Sequence, residues 1–243
     1  MRIERQGKVA VVVLEWGRAN AISLAFLDAL DGLLDGLRDA SALVIAAQGS
    51  IFSAGLDLPA LVDLPPAAFR AFMDRFSEVM LRIFELPMPV VAAVNGHAIA
   101  GGCALALQAD VRIMAGGRIG LNEAQLGLGL PPVILEVLRA QVPARSLVPI
   151  ALEGRLLSPE DALRLGLIDE IATDTRAAAV QRAGELATAG AGNIKTALRA
   201  PVAALIRAGD NTGWTETWFA PPAQERIRAA VAKLTKKQAP GGP

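Results

Sequence analysis

Three short stretches hold the residue types that could do chemistry. The first is Phe52-Ser53-Ala54-Gly55-Leu56-Asp57-Leu58, which directly follows an apolar run. Loops at the carboxyl ends of parallel strands are where α/β proteins hold ligands. Small side chains there let a ligand approach the backbone. The same stretch also reads as a plain strand-to-helix connection with Asp57 as a cap. The second is Asn95-Gly96-His97-Ala98-Ile99-Ala100-Gly101-Gly102-Cys103, leading into an apolar helical pattern. Amide groups at a helix N-terminus lack partners and sit at the positive end of the dipole. Gly101 and Gly102 leave them open, as an oxyanion hole requires; paired glycines also serve close packing. The third runs over 119–130, where Glu123 stands among leucines and glycines. Desolvation there raises a carboxyl pKa toward the range of a general base. On a solvent-facing loop the same residue is an ordinary surface charge.

The elements that must position these stretches follow from periodicity. Residues 8–14 and Ala42–Ala47 are short apolar runs of strand length, as are 89–94 and Val111–Met114. Residues 49–58 read as a loop. Ser23 opens a helix with Leu24, Leu27, Leu30 and Leu34 on one face. Pro65-Pro66 opens a second, with Phe69, Phe72, Phe76 and Ile83 along its apolar side. Asn95-Gly96 is a turn, and 101–109 reads as a buried helix. Strands alternating with helices argue for an α/β fold with parallel pairing. Beyond Pro131 the pattern is mainly helical. Ser158 is an N-cap before Pro159, Gly166 ends that helix, and Leu167-Ile168 opens a short extended piece. From Thr175 on no strand pattern appears, and 224–234 carries Ile227, Val231 and Leu234 on one face. No repeat of fixed length is present. The core is expected over 1–190, a helical segment over 191–238, and a disordered tail over 239–243.

Composition narrows the function classes. Hydrophobic residues make up 53% of 243 residues, so a sizeable core can be buried. Formal net charge is +0, which supplies no basic face for nucleic acid. The single cysteine, Cys103, excludes a disulfide framework and argues against a thiolate metal site. The apolar stretch 89–107 is broken by Asn95, Gly96, His97, Gly101 and Gly102, so it is not a membrane span. The first seven residues lack a signal-peptide core. A cytoplasmic protein is expected.

In order and spacing the three stretches resemble the crotonase (enoyl-CoA hydratase/isomerase) superfamily. That family places an S-A-G-x-D-type loop, an A-x-V-N-G-x-x-x-G-G helix start and a G-x-x-E segment in this sequence. The likeness reaches Asn20-Ala21-Ile22-Ser23 upstream, and downstream takes in the 152–162 stretch and Leu165-Gly166-Leu167-Ile168-Asp169. It covers about residues 1–172. It implies a spiral of ββα units, with a C-terminal helical segment that builds trimers or dimers of trimers. It also implies a thioester enolate held by the backbone N–H groups of Leu56 and Gly101. The loop formed by Ser53, Ala54, Gly55, Asp57 and Leu58 would border the coenzyme A pocket.

Within the superfamily, two-carboxylate hydratases carry Glu in a G-G-C-E-L pattern, where this chain has Ala104. The second family glutamate matches Glu123. The 119–128 stretch (I-G-L-N-E-A-Q-L-G-L) and the A-G-G-C-x-x-A-L helix start are similar to Δ3,Δ2-enoyl-CoA isomerases of the mitochondrial type. The resemblance implies one catalytic base, Glu123, and an acyl-CoA substrate, with no cofactor, metal, nucleic acid or membrane involved. A hydratase or hydrolase acting on another acyl-CoA is the nearest alternative, and a non-catalytic acyl-CoA-binding protein is an alternative of a different class. Leu56, Leu126, Leu128 and Leu130 suggest an apolar tunnel. His97 and Cys103 read as structural, and Glu136 as a solvated charge rather than a second carboxylate. Trp214, Trp218 and Phe219 read as subunit packing, with a lid over the substrate as the alternative. Lys233, Lys236 and Lys237 read as a solvated basic tail.

Overall fold

The structure, a computed structural model, describes residues 1–238, so the tail expected to be disordered lies outside the described residues. Strand β1 (Arg2–Gln6) pairs antiparallel with β2 (Val9–Leu14). Helix α1 (Leu24–Leu34) then leads to β3 (Ala42–Ala47), which runs parallel to β2. The chain next enters β4 (Ile51–Ser53), the short helix α2 (Leu58–Leu61) and the long helix α3 (Pro66–Glu85). It repeats the move through β5 (Val90–Val94), β6 (His97–Ile99) and α4 (Gly101–Leu107). It repeats it again through β7 (Val111–Met114), β8 (Ile119–Gly120), α5 (Glu123–Leu126) and α6 (Pro132–Gln141). Helix α7 (Pro159–Leu165), strand β9 (Glu170–Ile171) and helix α8 (Thr175–Leu186) follow. Three further helices close the chain: α9 (Ala191–Ala208), α10 (Thr212–Phe219) and α11 (Pro221–Gln238).

Alternate strands go to different sheets. The large sheet has the order β1-β2-β3-β5-β7-β9, and the small one β4-β6-β8. Every pairing in both sheets except β1–β2 is parallel. Each winding therefore places a strand in each sheet and then a helix, giving the crotonase-like spiral of ββα units. The repeat is one of structure only, since the windings share no sequence period.

The central strands β2, β3 and β5 of the large sheet are buried on both faces, which is why they read as unbroken apolar runs. Val11, Val13, Val44, Val91 and Ala93 pack under α8 with Ala179 and Ala183. Val12, Leu14, Ile45, Ala92 and Val94 point the other way, into the main core with Phe26, Phe69 and Phe76.

Several elements differ from the sequence reading. The 49–58 loop contains β4, a three-residue strand. Strand β1 escaped notice because its residues are polar and it forms an edge. Leu24 is 52% exposed, and Phe26 takes its place on the buried face of α1. Leu167 and Ile168 are buried in the approach to β9 rather than forming it. The caps behave as read: Ser23 Oγ accepts from Phe26 N at 3.2 Å, and Ser158 Oγ from Asp161 N at 3.2 Å. Gly166 closes α7 in a left-handed conformation.

Candidate active site

Two turns of the small sheet come together at Leu56 and Gly101. Gly55 stands at φ 87, and a Cβ there would lie 2.7 Å from Ile99 O and 3.1 Å from Gly101 N. Only glycine permits that approach. A Cβ on Gly101 would sit 3.4 Å from Leu56 N, so the two amides are close neighbours. Gly102 has the other role that paired glycines can have: a Cβ on it would be 2.2 Å from Ser53 O, so it is there for packing.

The amides that flank Leu56 and the one that precedes Gly101 are already occupied. Gly55 N donates to Ser53 Oγ, Asp57 N to Ile22 O, and Ala100 N to Gly120 O. Among the described residues no such loop or turn partner receives the N–H of Leu56 or Gly101. Ala100 precedes Gly101 at φ 50 and ψ −118, a conformation costing an alanine about 1–3 kcal/mol. The strain falls on the peptide that carries the Gly101 N–H. Two adjacent free donors, one at the start of a helix, are the kind of arrangement that can hold a developing oxyanion.

The first loop is clamped from below. Asn20 is 3% exposed; its Nδ2 donates to Phe52 O at 3.0 Å and to Ile51 O at 3.2 Å. Its Oδ1 accepts from Trp16 N at 2.8 Å. Ser53 Oγ donates to Asn20 O at 2.8 Å. The buried Ser53 hydroxyl therefore fixes the loop from beneath instead of facing the cavity. Ala54, Leu56, Asp57 and Leu58 do line the cavity, while Gly55 does not. Asp57 caps α2, its Oδ1 accepting from Ala60 N at 3.4 Å.

Glu123 opens α5 at the cavity wall and is 6% exposed. Burial among apolar side chains pushes its carboxyl up to about 7, opposed only by a hydrogen bond from its own backbone N–H. No protein group among the described residues donates to its Oε2. A carboxylate in that state is poised to take and return a proton near neutrality. Position 104 supplies no second acid: Ala104 is fully buried within α4 and borders no cavity described here. Glu136 pairs with Arg139 at 3.0 Å on α6, away from the cavity.

The cavity measures about 240 Å³. Leu56, Leu126 and Leu128 line it as the tunnel reading expects, whereas Leu130 does not. The reading of Trp214 and Trp218 as subunit packing is corrected, since both side chains are buried within this chain, whereas Phe219 is half-buried. All three pack on Phe69 of the same chain, with Trp218 stacked on it at a centroid distance of 4.3 Å. Trp214 and Trp218 form the cavity's far wall. Sequence reasoning missed Asn122, the polar neighbour of Glu123 in the lining, and Ala19, Ala21 and Ile99, whose small or apolar side chains carry no chemical signal. His97 is exposed on β6 and stands outside the lining. Cys103 is buried in α4, with its thiol pushed far up by burial. The described residues hold no group of three or more potential metal ligands, and no described helix is long and apolar enough to cross a membrane.

Comparison with known proteins agrees with this geometry. Residues 4–217 match the enoyl-CoA hydratase/isomerase family. The chain belongs to that family, which is a family of enzymes. Mitochondrial enoyl-CoA delta isomerase 1 of Homo sapiens is 32% identical over 170 residues, which is 67% of this chain and 56% of the human protein. The chain thus spans little more than half the length of that relative. A short-chain-enoyl-CoA hydratase of Clostridium acetobutylicum is 30% identical over 179 residues, covering 70% of this chain and 67% of that protein. The crystal structure of human mitochondrial Δ3-Δ2-enoyl-CoA isomerase superposes with a TM-score of 0.91 at 26% identity, covering 98% of this chain and 99% of that one.

Proposed function

We propose that the chain is an enoyl-CoA isomerase that moves a 3-enoyl-CoA double bond into conjugation, giving trans-2-enoyl-CoA. The observation that carries this reading is one buried, unpaired carboxylate beside two free backbone donors, with alanine where a second carboxylate would stand. Hydration needs groups to activate water and to protonate carbon, whereas isomerisation needs one group that moves a proton.

In the proposed reaction the thioester oxygen accepts from Leu56 N–H and Gly101 N–H. Glu123 removes a proton from C2, and the electron pair delocalises into the dienolate. The protonated Glu123 then delivers the proton to C4, and the double bond re-forms between C2 and C3. Losing one oxyanion donor typically costs about 3 kcal/mol. The reaction moves a proton and calls for no metal or redox cofactor; coenzyme A enters as part of the substrate. Ala54, Asp57 and Leu58 border its entry, above a loop held by Ser53 and Gly55. We extend the reading to a cytoplasmic trimer or dimer of trimers, supported by the free buried thiol and by the exposed Ile194, Leu198 and Leu205 along α9.

The test is to mix the protein with a 3-enoyl-CoA and follow the ultraviolet rise of the conjugated thioester, with crotonyl-CoA hydration measured in parallel. Fast isomerisation with little hydration is the expected result. Hydration without isomerisation would overturn the reading in favour of a hydratase. Neither reaction, with tight acyl-CoA binding, would favour a non-catalytic binder.

A further inference from the structure

Behind the cavity lies a second, much smaller space of about 10 Å³, walled by Met73, Phe76, Pro131 and Ile134. Three residues border both spaces: Leu56, Glu123 and Trp214. The first two serve the reaction itself. That leaves Trp214 as the side chain that divides the cavity from the slot. Its indole is fixed on two sides. Nε1 donates to Gly129 O at 2.9 Å, and the ring stacks on Phe69 at a centroid distance of 5.6 Å and 12° between planes. The slot holds about one water-sized probe and no more, so an acyl chain cannot enter it while the indole stands. Apart from Glu123 at its mouth, the slot is walled by apolar side chains and Gly101, and Met73 is a side chain that repacks readily.

We infer that Trp214 sets acyl chain length, as a partition that confines the substrate to short and medium chains because its indole fills the space between the cavity and the apolar slot, space that longer chains would need. The inference rests on the proposed isomerase reading. The thioester oxygen lies between Leu56 and Gly101, and Gly101 borders the slot, so the reacting carbons sit at the junction of the two spaces. The growing end of the acyl chain then meets Trp214.

The test is kcat/KM for 3-enoyl-CoAs of six to fourteen carbons, measured on the wild type, Trp214→Ala and Trp214→Leu. The decisive quantity is the ratio of the longest to the shortest substrate. The Trp214–Gly129 bond braces the segment after Glu123, so a merely structural role would lower all chain lengths alike and leave that ratio unmoved. The expected result is a fall in kcat/KM with length in the wild type, and a ratio about tenfold higher in Trp214→Ala. Trp214→Leu gives a smaller rise in the same direction, and it carries the test if the alanine variant loses its fold by circular dichroism. A ratio within twofold of wild type in a folded, turning-over variant overturns the inference while leaving the isomerase reading intact. Absence of isomerisation by the wild type at every length overturns the isomerase reading instead, and the partition with it.

Discussion

Two buried charge sites in this chain are built in opposite ways. At one, Asp110 receives Lys195 Nζ at 2.8 Å, Arg199 Nη2 at 2.6 Å and Val90 N at 2.7 Å. The cations are further satisfied: Lys195 donates to Met88 O, and Arg199 to Phe84 O and Gln108 O. Arg199 also lies 4.0 Å over the Phe84 ring. Burial still lowers both cations, Lys195 to about 8 and Arg199 to about 10, but each keeps its partners. This cluster ties α9 to the spiral. At the other site Glu123 has no cation beside it and an oxygen without a donor. Desolvation there is left uncompensated. The first arrangement spends charge on holding structure, and the second leaves it available for proton transfer.

Substitutions at the two sites should therefore separate activity from stability. Glu123→Gln should lower isomerase turnover by about 10²–10⁴-fold, the usual worth of a positioned acid–base group, read from the conjugation assay. Asp110→Asn should leave turnover per folded molecule in place but cost about 3–5 kcal/mol in denaturant unfolding, because two buried cations lose their counterion.

The sign of the Glu123 effect on stability is opposite. Its carboxyl is raised by burial from 4.5 to about 7. Between those values the native chain keeps a proton that the unfolded chain has released. Its contribution therefore falls as pH rises through that window and levels off above about 7. Glu123→Gln should accordingly unfold later than wild type at pH 8, by up to about 3 kcal/mol, and show little gain at pH 4. An equal gain at both pH values would mean that Glu123 is not desolvated as described.

A smaller effect belongs to the loop under Leu56. Ser53→Ala removes the hydroxyl that bonds both Asn20 O and Gly55 N. Thermal or denaturant unfolding should show a loss of about 1–3 kcal/mol. If the Leu56 N–H acts on the transition state as proposed, turnover should fall more than substrate affinity. Asp57→Ala, which removes the α2 cap, should cost about 1 kcal/mol of stability.

Much of this site was legible in the residues. Glu123 stood out as a carboxylate among leucines, and Gly101 as a small residue at a helix start. The central strands of the large sheet were visible because both of their faces are apolar. What stayed hidden has physical reasons. Strands β4, β6 and β8 have two or three residues each, too few for any period to show. The free state of Leu56 N–H is a property of its neighbours' bonding, to which the leucine side chain contributes nothing. Asn20 carried only a family likeness; its bonds reach residues more than thirty positions away. Trp214 and Trp218 looked like contact residues because aromatic side chains on a late helix suit an interface equally well. Only the placement of α10 over Phe69 turns them inward.

The most direct test is the pH dependence of kcat/KM for 3-enoyl-CoA isomerisation, since that quantity reports the essential groups of the free enzyme. If burial makes Glu123 the base, activity rises with pH to a plateau with its midpoint near 7, and the exposed His97, changed to Asn, leaves that midpoint unmoved. A midpoint near 4.5, or one that disappears with His97, would show that an uncompensated buried Glu123 is not what drives the reaction.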